Sequence, residues 1–542
     1  MNFIKNLIND LPSLIAVLLL LYIFKYYYKY FTRVNPLPGP FPWVPLLGNV
    51  LELFRYKLNV AEYLKDVQSK YGDFCEIQFG SKRLLIISSS DVAHPIHTSS
   101  VAHNRKFLYR DLPNIGMNEV GMENSGMICN RNLDEWRINR EFFERTSRSR
   151  NFLIMLTDKT YEMATNMFKL WDIMINDNQE IDLSKWLEKF TGDIAISTTT
   201  GLPSYTVLSY FNSLGYNDHN YTPVSEQELS LKLISLVKSI FKSGQWFILV
   251  PPFIRHAPGI SYLNSKFLNF SKEMEDIFLE LIQKRRKEID SLSENASLPS
   301  DLLTLLLTVN TSHGIEIPSY KSLNRSLNEH EIFGVIRDIF FGSFESITTA
   351  MCFVLYYLCK YPSVKSKLLS EINTIFGNST PSNLLYENLK NLPYCDALIE
   401  ESLRLNPIFP YFPRSNSEPV EVGGYLWENG QSFLLHYHRI NVNENVWIDG
   451  EIFDPERFLR NKDSERSINA RTANIKGAFS TFGGGARVCP GKLWALIEIK
   501  VLLVAVLMRY DVEFVNKDQG LDLFCDSTFH WRELKIRLRS RM

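Results

Sequence analysis

Phe482-Gly-Gly-Gly-Ala-Arg-Val-Cys489-Pro-Gly491 is the stretch from which most of this 542-residue chain can be read. Three successive glycines lead toward a cysteine, and an apolar segment at 493–507 follows at once. That segment reads as a helix, which puts Cys489 at its N-terminus. There the helix dipole and unpaired backbone N–H groups favour a thiolate, and Arg487 adds positive charge two residues earlier. The loop lacks the Lys-Ser/Thr ending of a phosphate-binding loop and the spaced glycines of a dinucleotide fold. By itself it fits a tight turn as well as it fits a metal-ligating cysteine.

Composition sets the frame. With 45% hydrophobic and 22% charged residues the chain is globular and long enough for a large core. A formal net charge of −1 gives no electrostatic case for binding nucleic acid. The seven cysteines (Cys75, Cys129, Cys352, Cys359, Cys395, Cys489 and Cys525) show neither paired metal-ligand spacing nor a disulfide framework. Only Cys489 has a special local context.

The N-terminus reads as a separate element. Residues 14–24 are an unbroken apolar run, extending to 11–30 if Lys25 and Lys29 snorkel, which is about the 20 residues a bilayer core requires. A cleaved secretory signal is the alternative. However, Tyr26, Tyr27, Tyr28, Tyr30 and Phe31 stand where cleavage needs small residues. Lys25, Lys29 and Arg33 outweigh Lys5, itself offset by Asp10, so the positive-inside rule puts the body in the cytosol. The expectation is an anchor over 1–31, a stiff proline-rich hinge over 32–40, and one large domain over 41–542.

Most of that domain reads as helix. Ser326-Leu-Asn-Glu329 has a capping-box pattern and opens an apolar stretch to Lys360, where Pro362 stops it. Such a helix spans roughly 50 Å, enough to cross a domain. Strand-like pieces are fewer: 74–79 with 83–87, 420–425 with 432–437, and 534–538. Polar stretches at 290–300 and 461–476 read as surface loops.

The cysteine loop fits Phe-x-x-Gly-x-Arg-x-Cys-x-Gly at Phe482, Gly485, Arg487, Cys489 and Gly491, and so resembles the haem-binding loop of the cytochrome P-450 family. The resemblance implies that Cys489 is the axial thiolate on the iron of haem b, whose electron push favours O–O cleavage. Glu401 and Arg404 share a helix face and would ordinarily be a solvated ion pair. Their continuation through Leu405-Asn-Pro-Ile-Phe-Pro-Tyr-Phe-Pro-Arg414, and the segment Phe453-Asp-Pro-Glu-Arg457-Phe, are similar to the family's next elements. This implies a buried structural network of Glu401, Arg404 and Arg457 behind the haem. Trp136 and Arg140 match the family's Trp-x-x-x-Arg, a pattern that alone means surface packing. With Arg414 and Arg487 they would be the donors to the haem propionates.

Counting back from Tyr361-Pro362 without gaps aligns Gly342-Ser343-Phe344-Glu345-Ser346-Ile347 with the family's oxygen-activating pattern. That makes Glu345 and Ser346 the implied catalytic residues. Ser343 stands where a glycine is usual and Ser346 where a threonine is usual. Using Thr348 or Thr349 instead needs a slip of two or three residues, and a mere polar spot on a buried helix is the plain alternative. Ile339, Gly342, Ser343, Ser346 and Ala350 would share the haem-facing stripe. Trp246-Phe-Ile-Leu-Val-Pro-Pro-Phe-Ile254 falls where a membrane-touching lid is expected, and 107–126 would line the pocket.

The whole chain thus resembles a microsomal cytochrome P-450, implying a mainly α fold with minor β sheets (α+β) and an endoplasmic reticulum location facing the cytosol. The implied reaction inserts one atom of O2 into a lipophilic substrate. Electrons would come from NADPH through NADPH-cytochrome P-450 reductase, with cytochrome b5 a second candidate donor. Some of Arg131, Arg137, Arg145 and Lys492 are expected to form the docking patch for the acidic reductase. Two rival readings are a reductase-independent isomerase or dehydratase of lipid hydroperoxides and a non-catalytic haem sensor.

Overall fold

The computed structural model describes residues 2–45, 47–80, 82–97, 106–110, 116–216, 224–293, 298–309, 311, 326–377, 385–459, 478–525 and 527–541. The expected loop at 461–476 lies outside these residues, as do parts of those at 290–300 and 107–126.

The body is built round the helix Glu329–Lys360, which is buried along most of its length and packs most extensively on Leu183–Thr200. Its N-cap is Asn328, two residues beyond the expected Ser326. The Asn328 side chain accepts from the Glu331 N–H at 2.9 Å, and the Glu331 carboxylate accepts from the Asn328 N–H at 2.9 Å. The reciprocal pair Asn-x-x-Glu meets the capping need two residues further on. Pro362 does not merely stop this helix: it sits in the first turn of the next one, Pro362–Phe376, where its missing N–H costs nothing. The helix after Cys489 runs Lys492–Arg509 and packs on Arg150–Asn176.

Eleven strands are found among the described residues: β1 (Phe74–Phe79), β2 (Lys82–Ile87), β3 (Ile181–Asp182), β4 (Phe412–Ser415), β5 (Val420–Val422), β6 (Tyr425–Trp427), β7 (Ser432–Leu435), β8 (Tyr510–Phe514), β9 (Leu523–Cys525), β10 (Phe529–Trp531) and β11 (Lys535–Ser540). The main sheet has the order β1-β2-β7-β4, with β2 and β7 parallel. The expected pairing of 420–425 with 432–437 does not form. Gly423 and Gly424, with φ of +62° and +79°, make a two-residue turn that folds β5 onto β6. β7 is thereby released to join β2, Leu84 facing Ser432 and Ile87 facing Leu435.

The N-terminal helix Asn2–Phe31 leaves its apolar window Pro12–Phe31 unburied, whereas in Glu329–Lys360, the other helix among the described residues both long and apolar enough to cross a bilayer, 83% of the most apolar window is buried. The proline-rich segment is fastened to β1: the Leu37 N–H donates to Glu76 at 3.2 Å, and Glu76 also pairs with Arg33 at 2.5 Å and with Arg83. Tyr27 stacks on Phe41 with ring centroids 5.6 Å apart. The chain leaving the apolar helix is thus held against the body at a set angle.

Candidate active site

The cysteine loop closes on itself, the Cys489 N–H donating to the Phe482 carbonyl at 2.8 Å. Gly483 and Gly485 carry φ of +70° and +62°, a conformation few other residues adopt cheaply, and this turn brings the sulfur round to face inward. Burial pushes the Cys489 thiol up; the Gly491 N–H, Arg110, Arg140 and Lys492 pull the other way. Arg487 is held by backbone acceptors. Its guanidinium donates to the carbonyls of Leu108 (2.8 Å), Met127 (3.1 Å) and Asn130 (3.3 Å) and lies 4.0 Å over the Trp136 ring. It ties the cysteine loop to the segment before the Trp136 helix rather than leaving its nitrogens free.

Behind the cysteine, Glu401, Arg404 and Arg457 are brought together and wholly buried. Glu401 accepts from Arg404 at 2.6 and 2.9 Å, from Arg457 at 3.2 Å and from the Asp454 N–H at 2.8 Å. The remaining arginine nitrogens donate to carbonyls of the 441–452 loop, and both guanidiniums lie over the Trp447 ring.

In front of the sulfur lies a cavity of about 410 Å³. Its far wall is the central helix, from which Ile339, Gly342, Ser343, Ser346 and Ala350 all face inward. The Ser346 hydroxyl donates to the Gly342 carbonyl. Thr348 bonds Thr191 at 2.7 Å and the Phe344 carbonyl at 3.0 Å, and Thr349 bonds the Phe529 carbonyl, so neither hydroxyl is available to the cavity. Glu345 and Ser346, paired in the sequence, point apart. Glu345 turns from the cavity to His530 of β10, Oε1 to Nδ1 2.8 Å, and its other oxygen is buried without a partner. The apolar segment 246–254 ends the helix Val224–Leu249, from which Phe247, Ile248 and Leu249 reach the cavity while Phe253 beyond it is exposed.

Four guanidiniums line this cavity: Arg110, Arg140, Arg414 and Arg487. Among the described residues only Arg140 has a carboxylate partner, Glu144 at 2.7 Å. Burial first, and then repulsion from neighbouring guanidiniums (Arg414 and Arg140 for Arg110; Arg110, Arg414 and Arg140 for Arg487), pushes Arg110 and Arg487 down; burial alone lowers Arg414. Arg414 and Arg487 are buried and Arg110 is half-buried, and cations so placed with no carboxylate among the described residues are costly unless an anion joins them. Beside them Trp136 Nε1, Arg110 Nε and Tyr437 Oη are buried with no hydrogen-bond partner. The donor set therefore fits a group with two carboxylates and an apolar face, laid between the thiol and the central helix. Arg110 and Tyr437 escaped the sequence reading; neither sits in a motif, and only the lone basic residue at 110 inside an expected pocket loop hinted at one of them.

The predicted docking surface is mixed in charge, not uniformly basic. Arg137 pairs with Asp134 and Arg145 with Glu141 at 2.6 Å, while Lys492 lies 5.1 Å over Phe482 and Arg131 5.4 Å over Tyr109.

A thiol presented across an apolar cavity to a helix that carries a hydroxyl, with a rim of arginines that have no carboxylate partner among the described residues, defines a class: an oxidoreductase built round a dianionic prosthetic group. The chain matches the family model described as Cytochrome P450 over residues 38–539, and it belongs to the cytochrome P450 family. It is a monooxygenase of that family, which works with a haem-thiolate iron. Among its relatives, geissoschizine oxidase of Strychnos sp is 24% identical, with 91% of this chain and 88% of the relative aligned. Cytochrome P450 3A25 of Mus musculus is 25% identical (89% and 86%), and tabersonine 16-hydroxylase 1 of Catharanthus roseus 25% identical (88% and 85%).

Proposed function

We propose that this protein is a membrane-anchored monooxygenase that inserts one oxygen atom of O2 into a lipophilic substrate, with Cys489 as the residue that would hold the iron of haem b. The observation that carries the reading is the conjunction of the inward-facing Cys489 sulfur with three arginines in the same cavity that have no carboxylate partner among the described residues. When bound, the haem supplies the redox chemistry that activates O2. Arg110, Arg140 and Arg414, with the Trp136 indole and the Tyr437 hydroxyl, would hold the propionates. Arg487 acts by fixing the loop carbonyls and the Trp136 ring, while Glu401, Arg404 and Arg457 brace the loops behind Cys489.

On the distal side Ser346 supplies a hydroxyl that both donates and accepts, so a proton can be handed on at its Oγ. Glu345 and His530 form the adjoining acid–base pair, connecting that helix turn to the β9–β10 hairpin. The apolar walls exclude bulk water. Residues 1–31 would anchor the chain in the endoplasmic reticulum membrane, 32–40 form the hinge, and 41–542 form the haem domain facing the cytosol. Electrons would arrive from NADPH-cytochrome P-450 reductase, with cytochrome b5 as an auxiliary donor, at the surface near Arg131, Arg137, Arg145 and Lys492.

The test is spectral and kinetic. Purified protein, reduced and exposed to CO, should give the spectrum of thiolate ligation, and Cys489→Ala should lack it. Product formation should need both NADPH and the reductase. Reductase-free turnover of a lipid hydroperoxide, with none from O2 and NADPH, would overturn the reading.

A further inference from the structure

We infer that the substrate is a neutral, mainly apolar molecule carrying a hydroxyl or carbonyl oxygen, recognised by the Gln245 amide and the Ser343 hydroxyl. The inference rests on the monooxygenase reading of the cavity and specifies what the cavity takes. Its ground is how the polar side chains of the wall are already committed. Ser243 donates to the Ile240 carbonyl at 2.9 Å, Thr481 to the Leu403 carbonyl at 2.9 Å, and Ser346 to the Gly342 carbonyl. The Asp338 carboxylate is held by Arg337 at 2.9 Å and by the N–H groups of Met127 and Ile128, the latter at 2.7 Å. Gln245 Nε2 and Ser343 Oγ differ: both are buried, both belong to residues lining the cavity, and neither has a partner.

They stand on two different helices, Gln245 near the end of Val224–Leu249 and Ser343 on the central helix one turn before Ser346. Between them the wall is hydrocarbon and aromatic, with Met117, Ile240, Phe241, Phe341 and Ile347 among its residues. A buried donor left unmade penalises a ligand that brings nothing to it. A ligand oxygen on the Gln245 amide or on Ser343 removes that penalty, and discrimination is strongest at sites built this way. Charge is excluded by the same accounting. Among the described residues of the wall the one carboxylate is spent, and the cations lie at the Cys489 end, where the haem carboxylates would meet them. An ammonium or carboxylate on the substrate would therefore be buried without a counter-ion.

The experiment uses the haem-loaded full-length protein in detergent and equilibrium dialysis against one skeleton in five forms. These are bicyclohexyl, 4-cyclohexylcyclohexanol, 4-cyclohexylcyclohexanone, 4-cyclohexylcyclohexanecarboxylate and the matching trimethylammonium ion. The alcohol or the ketone should bind about tenfold more tightly than the hydrocarbon, the effect of one matched buried hydrogen bond. Both ions should bind more weakly than either. Gln245→Leu and Ser343→Ala, singly or together, should erase the preference while leaving hydrocarbon affinity within about twofold. Equal binding of hydrocarbon and oxygenated forms, tighter binding of an ion, or an undiminished preference in the double variant would overturn the inference. The reduced-plus-CO spectrum of the same samples reads the haem-thiolate assignment separately, so failure of that assignment is distinguished from failure of this one.

Discussion

Replacing Glu401 by glutamine keeps the shape of the side chain and removes one charge, which makes it a sharp probe of the core behind Cys489. In the wild type two guanidiniums and one carboxylate share a fully buried site. Glutamine leaves both cations without an anion and turns one of the two carboxylate oxygens into a donor facing the Arg404 fork. Breaking a buried pair in this way costs about 3–5 kcal/mol. Set against a total stability of about 5–15 kcal/mol, that is a large fraction of the fold. Urea unfolding followed by tryptophan fluorescence reads it directly, since Trp447 lies 4.9 Å beneath Arg404 and 5.9 Å beneath Arg457. The midpoint should fall with little change in slope. A loss below about 1 kcal/mol, the range of an exposed ion pair, would refute the reasoning.

The same geometry forecasts a second result that a simple ion triad would not give. Apolar replacement of a buried triad is often neutral. Here Arg404 and Arg457 also satisfy five carbonyls, those of Asn441, Ile448, Asp449, Gly450 and Ile452. Substituting all three residues by Met or Leu strands those carbonyls, at about 1–3 kcal/mol apiece. The triple variant should therefore be less stable than Glu401→Gln, and a triple variant as stable as wild type would show that the carbonyl contacts contribute nothing.

Three further outcomes are expected. Burial holds His97 near 3, with Arg414 and His94 adding to the effect, holds His438 near 4, and pushes His436 well below the usual imidazole value. All three are neutral in the fold and bind protons on unfolding, so their stabilisation is complete above about pH 6.5 and disappears as pH falls toward the folded values. The slope approaches ~1.4 kcal/mol per pH unit per histidine, and urea midpoints that stay flat from pH 7 to pH 5 would contradict it. Arg110→Leu removes one of the three arginines without an anion and should speed haem transfer to apomyoglobin about tenfold or more, the loss of one charge-assisted bond; an unchanged rate places the propionates elsewhere. Ser346→Thr retains a hydroxyl able to bond the Gly342 carbonyl and restricts its rotamer, so product formed per NADPH should rise; equal or poorer coupling counts against a looser serine as the cause of waste.

What could be read from the chain divides along the two faces of the cavity. The cysteine loop, Glu401–Arg404 and Trp136–Arg140 are each local in sequence, so spacing alone puts their side chains on one turn or one helix face. The wall facing Cys489 converges from positions 245, 343 and 346, and the arginine-lined side also draws on 110 and 437. Ser343 and Ser346 could be placed by the pattern they resemble, but positions 110, 245 and 437 are ordinary residues until packing brings them to the cavity. The strand error had the same origin: β7 was legible as a strand, but its partner was decided by a Gly-Gly turn that gave β5 a nearer one.

Glu345 and Ser346 make the point most sharply. Successive residues on a helix are separated by about 100°, so an acid and an alcohol adjacent in sequence cannot both face one cavity squarely. The serine faces it here, and the acid is met by His530, nearly two hundred positions away. A motif of neighbours thus names the turn of helix on which the chemistry sits, and the elements packed around that turn decide which neighbour meets the substrate and which one connects it to the hairpin.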